Sequence, residues 1–448
     1  MPKLPHAVVM MLLIIVAAVA LTYVVPSGTY QRTPAGLVVP GTFHTVPKGS
    51  APSSAHAASP IAIVSSIPAG MVRQAALIFM ILFIGGMFGV LQETGALEAG
   101  IERLLTLARG DARLVVPVIM LLIAAGGTFL GLISEYLVVI PMALVLADRL
   151  GYDALFGTAM VTIAAKIGYL TSITNPLALA IAQPIVGVPV FSGAWFRAAT
   201  FVVFLPLGVW YLLARSKGPR FARDDKGARE DSRARLSARQ VLVLLTLLVA
   251  IGGMIYGVQG LAWGSPELAS MYIALAVAIA AVGGIASREA SQAFIRGMQG
   301  MVLAALLVGL AAAVEIILRD AMILDSLVAF LTRAVDGKPP VIVANLMMAM
   351  QMVIDVFIPS TSGKAAITMP ILGPIGHLSG VSGQVTVQAF LFGNGLMNAL
   401  TPTSGMLLAY LATGKVSYGA WIRFVWPLAA VLVVSCAIAL TVAVMINL

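Results

Sequence analysis

Charge is scarce in this sequence. Asp, Glu, Lys and Arg make up 10% of 448 residues, where a soluble domain carries about 25%, which excludes an ordinary soluble globular chain. Cysteine is scarcer still. Cys436 stands alone in the last apolar run, so no intrachain disulfide can form. The four histidines (His6, His44, His56, His377) are scattered and offer no metal-ligand spacing. No enzyme signature is found. Ser362-Gly363-Lys364 ends like a phosphate loop, but the glycine needed five positions before Gly363 is Ile358, so the pattern fails and ATP-driven transport by this chain alone is not expected. No A-x-A cleavage pattern follows the first apolar run, only Val25-Pro26-Ser27-Gly28. That run is therefore read as a retained span starting in the cytoplasm.

Apolar runs are what the sequence has in quantity. Hydrophobic residues make up 60% of it, and runs such as Val8–Val25, Ala75–Leu91, Val241–Gly260 and Leu428–Ile446 approach the roughly 20 residues that span a bilayer. The expected fold class is an all-α polytopic membrane protein. The net charge of +9 does not point to nucleic acid. Nine Lys/Arg fall between Arg215 and Arg239 with no interleaved aromatic pattern, as in a cytoplasmic loop under the positive-inside rule.

The chain opens with a span at 8–26. A Pro/Ser/Gly/Thr-rich external loop follows at 27–72, with short strands at Thr29–Arg32 and Gly36–Val39, then a span at 75–92. Residues 94–109 and 321–335 have amphipathic helical spacing and read as interfacial arms. Residues 114–147 and 341–379 each read as a re-entrant hairpin, with tips near 131–136 and 359–364. Residues 154–187 and 384–413 each read as a helix broken by a polar stretch, at Thr171–Pro176 and at 398–405, since proline removes a backbone donor. Further spans are expected at 195–214, 240–260, 271–286, 298–318 and 421–446, with a basic turn at Arg288 and Arg296.

The halves echo each other. Gly70-Met71 and Gly297-Met298 lie 227 residues apart, and so do Leu97-Glu98 and Leu324-Asp325. Pro176 and Pro402 lie 226 apart, as do Gly193-Ala194-Trp195 and Gly419-Ala420-Trp421, with Arg197 echoed by Arg423. One extra crossing in the second half makes the two repeats inverted, a recurring transporter design.

Polar breaks in an oily chain must be buried in protein or line a cavity. The candidate substrate-binding residues are Ser134, Glu135, Thr171, Ser172, Asn175, Ser360, Thr361, Ser362, Gly363, Lys364, Asn394, Thr401, Thr403 and Ser404. Glu135, Thr174, Asn175, Lys166, Asp355 and Thr401 are candidates for a coupling ion or proton. Their hydroxyl, amide and carbonyl oxygens suit Na⁺, the one metal considered, or substrate hydrogen bonds. Each has a structural alternative. Glu135 and Lys364 could close the two tips as an ion pair, Lys166 could snorkel, Asn394 and Asn398 could bond neighbouring helices, and the membrane-depth acid Glu315 could pair with Arg319 at i+4.

The elements near Ser134-Glu135, the Thr171–Pro176 break, Ser360 to Ala366, and Thr401 to Ser404 resemble the YfcC/DcuC-like C4-dicarboxylate anaerobic carrier family of the ion transporter superfamily. The resemblance covers about residues 8–446 and is most specific over 361–375, TSGKAAITMPILGPI. It implies an elevator-type architecture, usually homodimeric, with both hairpin tips and both helix breaks around one substrate site. The scaffold would comprise 1–92, 195–239, 240–318 and 417–448. The transport domain would comprise 114–194 and 341–416, with arms at 93–113 and 319–340. The chain departs from relatives in its single tip carboxylate, Glu135, and in Lys166 and Lys364, which stand where uncharged amides are common.

The expected function is a secondary active transporter of small organic anions, a C4-dicarboxylate or related carboxylate, coupled to Na⁺, H⁺ or counter-substrate. Two lysines near the site favour an anion. A basic amino acid antiporter is the alternative, and a channel or non-transporting membrane protein fits the repeats least. No cofactor is expected. The expected partners are substrate, lipid and a second copy of the chain, in a bacterial-type inner membrane with the N-terminus and linker 215–239 cytoplasmic.

Overall fold

The computed structural model describes residues 7–34, 38–39, 41–49, 55–107, 111–215, 237–261, 263–332 and 337–448. Most of the expected basic linker, 216–236, lies outside them, as do Gly36, Arg109 and Arg333.

The chain is helical throughout. Helix α1 (Ala7–Val24) leads to a small segment in which Gly28–Thr29 pairs antiparallel with His44–Thr45, and Arg32 bridges Val38. Then come α2 (Ala62–Arg73), α3 (Ala75–Glu93) and α4 (Ala96–Leu107). Helices α5 (Ala112–Ala125), α6 (Val139–Arg149), α7 (Ala154–Thr171), α8 (Pro176–Ile185) and α9 (Ala194–Arg215) complete the first half. The second half holds α10 (Ala238–Gly260), α11 (Ser265–Gly283), α12 (Ser287–Asp320), α13 (Leu324–Thr332), α14 (Pro340–Phe357), α15 (Thr361–Leu378), α16 (Gly383–Asn398), α17 (Gly405–Thr413) and α18 (Tyr418–Met445). Among the described residues, eight helices are long and apolar enough to cross a membrane. This is a multi-pass membrane protein.

Three expectations about the elements need correction. Residues 62–73 are helix α2 rather than loop. Ser65, Ser66 and Pro68 gave the segment a loop-like composition, yet its Gly70 face packs on α12. Arg288 and Arg296 do not form a turn, because α12 runs unbroken for 34 residues. At 1.5 Å per residue that is about 51 Å, well beyond a hydrocarbon core of about 30 Å. The segment expected as the first arm of each re-entrant hairpin is also long enough for a crossing of its own. Residues 112–130, carried on from α5 by a π turn at Gly126–Leu130, and 340–357 both have the length and apolarity of a span.

Helices α3 and α12 cross antiparallel at van der Waals range. A Cβ on Gly297 would sit 2.0 Å from the Gly85 carbonyl oxygen, and one on Gly89 would sit 2.1 Å from that of Ala293. Small residues four apart on both helices permit the approach, as in membrane helix pairs generally. Because the obstructing atoms are backbone, Gly297→Ala is expected to destabilise by about 1–3 kcal/mol through overpacking, despite alanine's better helix propensity. An unchanged melting temperature in detergent would contradict this contact.

Two helices followed by a helix with a polar break occur twice, as α5 and α6 before α7/α8 and as α14 and α15 before α16/α17. A small apolar core joins the two occurrences, with Ala178, Leu179 and Ala182 of α8 against Ala365 and Met369 of α15 and Phe390 and Leu391 of α16.

Candidate functional site

At the first break, Pro176 starts α8 and the Asn175 carboxamide caps it, accepting from Leu177 N at 3.0 Å. Ser172 takes a left-handed conformation, with φ 42°. The π turn of the first hairpin docks onto this break. Thr128 Oγ1 lies 3.0 Å from Thr171 Oγ1 and accepts from Ile173 N at 2.9 Å, while Thr174 Oγ1 donates to the Phe129 carbonyl at 3.1 Å. Gly131 is required there. Its φ is 72°, and a Cβ would meet Asn175 Oδ1 at 2.4 Å. Buried Arg197 closes the cluster by donating to the carbonyls of Ile173 and Ser192, at 3.2 and 2.7 Å. Its repeat echo, Arg423, is exposed and donates to the Gly419 carbonyl of its own helix. The carbonyls after the second break, Ala399 and Leu400, instead accept from Trp421 Nε1 and Tyr418 OH.

Ser134 and Glu135 open the 3₁₀ turn Ser134–Leu137 at the first tip. Glu135 Oε2 accepts from Ile133 N at 2.9 Å, and Tyr410 OH of α17 holds the Ile133 carbonyl. Among the described residues no cation pairs with Glu135.

The second tip is built differently. Ser360 caps α15. Thr361 Oγ1 bonds Tyr169 OH and accepts from Asn394 Nδ2 at 3.1 Å. Lys364 points back between the hairpin arms. Its Nζ donates to Asp355 Oδ1 at 2.6 Å, with both side chains fully buried, and lies over the Phe390 ring. The lysine is therefore tied to Asp355 within its own hairpin, and neither the expected pairing with Glu135 nor a free ammonium at the tip is found. Lys166 does not snorkel. Its ammonium donates to Asn398 Oδ1.

Asn398 joins three elements. Its Oδ1 accepts from the Lys166 ammonium of α7 and from Ser404 Oγ at 3.2 Å, and its Nδ2 donates to the Pro359 carbonyl at 3.4 Å. Ser404 caps α17, and Thr401 and Thr403 bond each other at 2.7 Å. Around this junction lies a cavity of about 150 Å³. One wall is Pro359, Ser360, Asn398, Thr403, Ser404, Gly405 and Met406. The facing wall is Val308, Ala311, Ala312 and Glu315 of α12, with Gln74 and Leu77 at the α2–α3 junction. Two helix N-termini, of α15 and α17, border the same space. Each leaves first-turn N–H groups that no helix carbonyl can take, and each carries the positive end of a helix dipole.

Of the expected site residues, Ser360, Thr403 and Ser404 line this cavity, while Thr361, Asn394 and Thr401 stand one layer behind. Ser362, Gly363 and Lys364 do not line it. Thr171, Ser172, Thr174 and Asn175 form the separate first cluster, and Ser134 and Glu135 stand at the first tip, outside the cavity lining, so the cavity draws on one tip and one break rather than two of each. Glu315 with its i+4 partner Arg319 was anticipated as a pair, but the rest of the α12 wall, Gln74, Thr128, Tyr169 and the clasping role of Arg197 were not. Only the Gly193–Arg197 echo of Gly419–Arg423 drew any notice to Arg197.

A multi-pass helical chain with interrupted helices bordering a small cavity is a membrane transporter in class. The chain belongs to the DcuC family, the C4-dicarboxylate anaerobic carriers, whose family model matches residues 4–445. It is 32% identical over 369 residues to the Escherichia coli (strain K12) protein named "Putative basic amino acid antiporter YfcC", covering 78% of this chain and 73% of that one. It is 27% identical over 491 residues to an uncharacterized protein of Haemophilus influenzae, covering 95% and 94%. Among solved structures it is similar to the Alcanivorax borkumensis YdaH transporter (18% identity, TM-score 0.45, 99% of each chain). It is also similar to Neisseria gonorrhoeae MtrF, described as illuminating a class of antimetabolite efflux pumps (19% identity, TM-score 0.46, 98% and 95%).

Proposed function

We propose that this chain is a secondary active transporter of small organic anions, a C4-dicarboxylate or related carboxylate. The observation that carries the reading is the convergence of the α15 and α17 N-termini on one cavity. Such termini attract anions through free N–H groups and aligned dipoles, and paired half-helix ends of this kind face anionic substrates in transporters. Lys166, one hydrogen bond behind Asn398, adds positive charge to the same wall. At about 150 Å³ the cavity is smaller than drug-sized pockets of about 300–1,000 Å³, which suits a small metabolite.

The transport mode is an elevator with inverted repeats. The cavity lies between the α15–α17 ends and the α12 wall, where Val308, Ala311 and Ala312 face Gly405 of α17, so that small residues suited to sliding stand on both sides. The chain works as a homodimer in a bacterial-type inner membrane with its N-terminus cytoplasmic. Coupling is to Na⁺, H⁺ or counter-substrate. Buried oxygens without a hydrogen-bond partner, Gln351 Oε1, Asp355 Oδ2 and Asn394 Oδ1, are hard donors of the kind a cation takes.

A second reading, amino acid exchange, has one observation in its favour: Glu315 on the cavity wall could hold an amine. Thermal unfolding of the purified protein decides between them. A ligand at a hundred times its Kd stabilises by about 2.7 kcal/mol. Dicarboxylates are expected to raise the melting temperature and basic amino acids to leave it unchanged. Stabilisation by lysine or arginine alone would select the exchanger. Unsaturable conductance in proteoliposomes would mark a channel.

A further inference from the structure

The α12 wall of the cavity carries one acid, Glu315, and two guanidinium groups reach it from outside. Arg73 Nη2 lies 2.9 Å from Glu315 Oε1, and Arg319 Nη2 lies 3.2 Å from the same oxygen. Arg73 ends α2, immediately before the wall residue Gln74, and Arg319 lies one turn beyond Glu315 on α12. The Glu315 side chain is 14% exposed, and the arginines are 34% and 49% exposed. Two positive charges thus share one carboxylate oxygen, which leaves the triad net positive beside a cavity whose opposite wall holds two helix N-termini.

This is more cation than one acid needs. An isolated Glu315 would be served by Arg319 alone at i,i+4. The second guanidinium comes from another helix and cannot be explained by helix stability. Guanidinium groups bind carboxylates best as two parallel hydrogen bonds to two oxygens, and here each makes one contact with a shared atom.

We infer that Arg73 and Arg319 form a second carboxylate subsite on the scaffold side, with Glu315 as a resident surrogate for the far carboxylate of a dianionic substrate. The inference rests on the anion reading above and deepens it, by naming the residues that would meet the far carboxylate. One carboxylate meets the α15 and α17 N-termini. The other competes with Glu315 for the two guanidinium groups. Glu315 then sets selectivity: it repels a second negative charge until the arginines release it, and a monocarboxylate has no group to displace it.

Uptake of succinate and of butyrate into proteoliposomes tests this on the full chain. Arg73→Gln and Arg319→Gln are expected to raise the KM for succinate by roughly tenfold, the size of one lost charge-assisted hydrogen bond, and to leave butyrate within about twofold. Glu315→Gln is expected to move succinate the opposite way, lowering its KM by several-fold. Opposite signs from the two kinds of variant are what a purely structural ion-pair triad cannot produce. If all three variants raise the KM alike, or shift succinate and butyrate equally, the subsite does not exist. Should a variant be lost to misfolding, wild-type protein gives the second readout. Added salt screens exposed charge and must weaken succinate more than butyrate, and equal weakening overturns the inference. Absence of any carboxylate uptake by the wild type would instead remove the anion reading, and the subsite with it. Butyrate uptake without succinate uptake would remove the subsite alone.

Discussion

Lys364→Met is expected to destabilise the protein by about 3–5 kcal/mol, the cost of leaving one member of a buried ion pair without its partner. Lys364 and Asp355 are both fully buried and 2.6 Å apart. The second Asp355 oxygen has no hydrogen-bond partner, so removing the ammonium leaves a buried carboxylate with no hydrogen bond and only the more distant Lys166 charge to offset it. Asp355→Leu alone is expected to be comparably damaging, because it strands the ammonium. The double variant Lys364→Met with Asp355→Leu is expected to recover most of the loss, since a buried pair replaced by apolar side chains of similar volume is often neutral or better. Thermal unfolding of the four proteins in one detergent gives the cycle. Losses that simply add would mean that the two side chains do not interact.

The double variant also separates stability from transport. Neither residue lines the cavity, so if their role is to brace the two arms of the second hairpin, the double variant should fold and still take up substrate. A well-folded double variant with no uptake would give the pair a part in coupling.

Why this pairing escaped the sequence is instructive. Repeat symmetry set Lys364 opposite Glu135, but the partner is nine residues back, across a hairpin whose closing geometry no spacing rule states. The breaks themselves were legible because Pro176 and Pro402, with their Ser/Thr neighbours, leave the backbone no alternative. Thr128 was invisible, being one hydroxyl at the end of an apolar run that becomes a ligand of the first break only after the hairpin folds back. Helix α2 was lost to its serines and proline, and the continuity of α12 to arginines that resemble a turn but project from a helix extending past the bilayer. The cavity wall was beyond reach for another reason. Gln74, Val308 to Glu315, Pro359 and Ser404 meet only through tertiary packing, and one sequence carries no record of that contact.

Asn398 is the residue on which transport should depend most steeply. Its carboxamide holds the second tip, the second break and α7 together, through Pro359, Ser404 and Lys166. Asn398→Ala removes three hydrogen bonds, one of them to an ammonium. With about 1 kcal/mol for each neutral bond and about 1.5–3 for the charged one, uptake is expected to fall by about a hundredfold or more. Asn398→Asp asks a sharper question. It keeps the shape and strengthens the contact with Lys166, but it cannot donate to the Pro359 carbonyl and it places a negative charge on the cavity wall. If the α15 and α17 N-termini bind a carboxylate there, the aspartate competes for the same dipoles. Uptake of anions should then be abolished in a protein that melts close to wild type. Asn398→Asp protein that carries succinate at the wild-type rate would show that the anion binds somewhere other than this cavity.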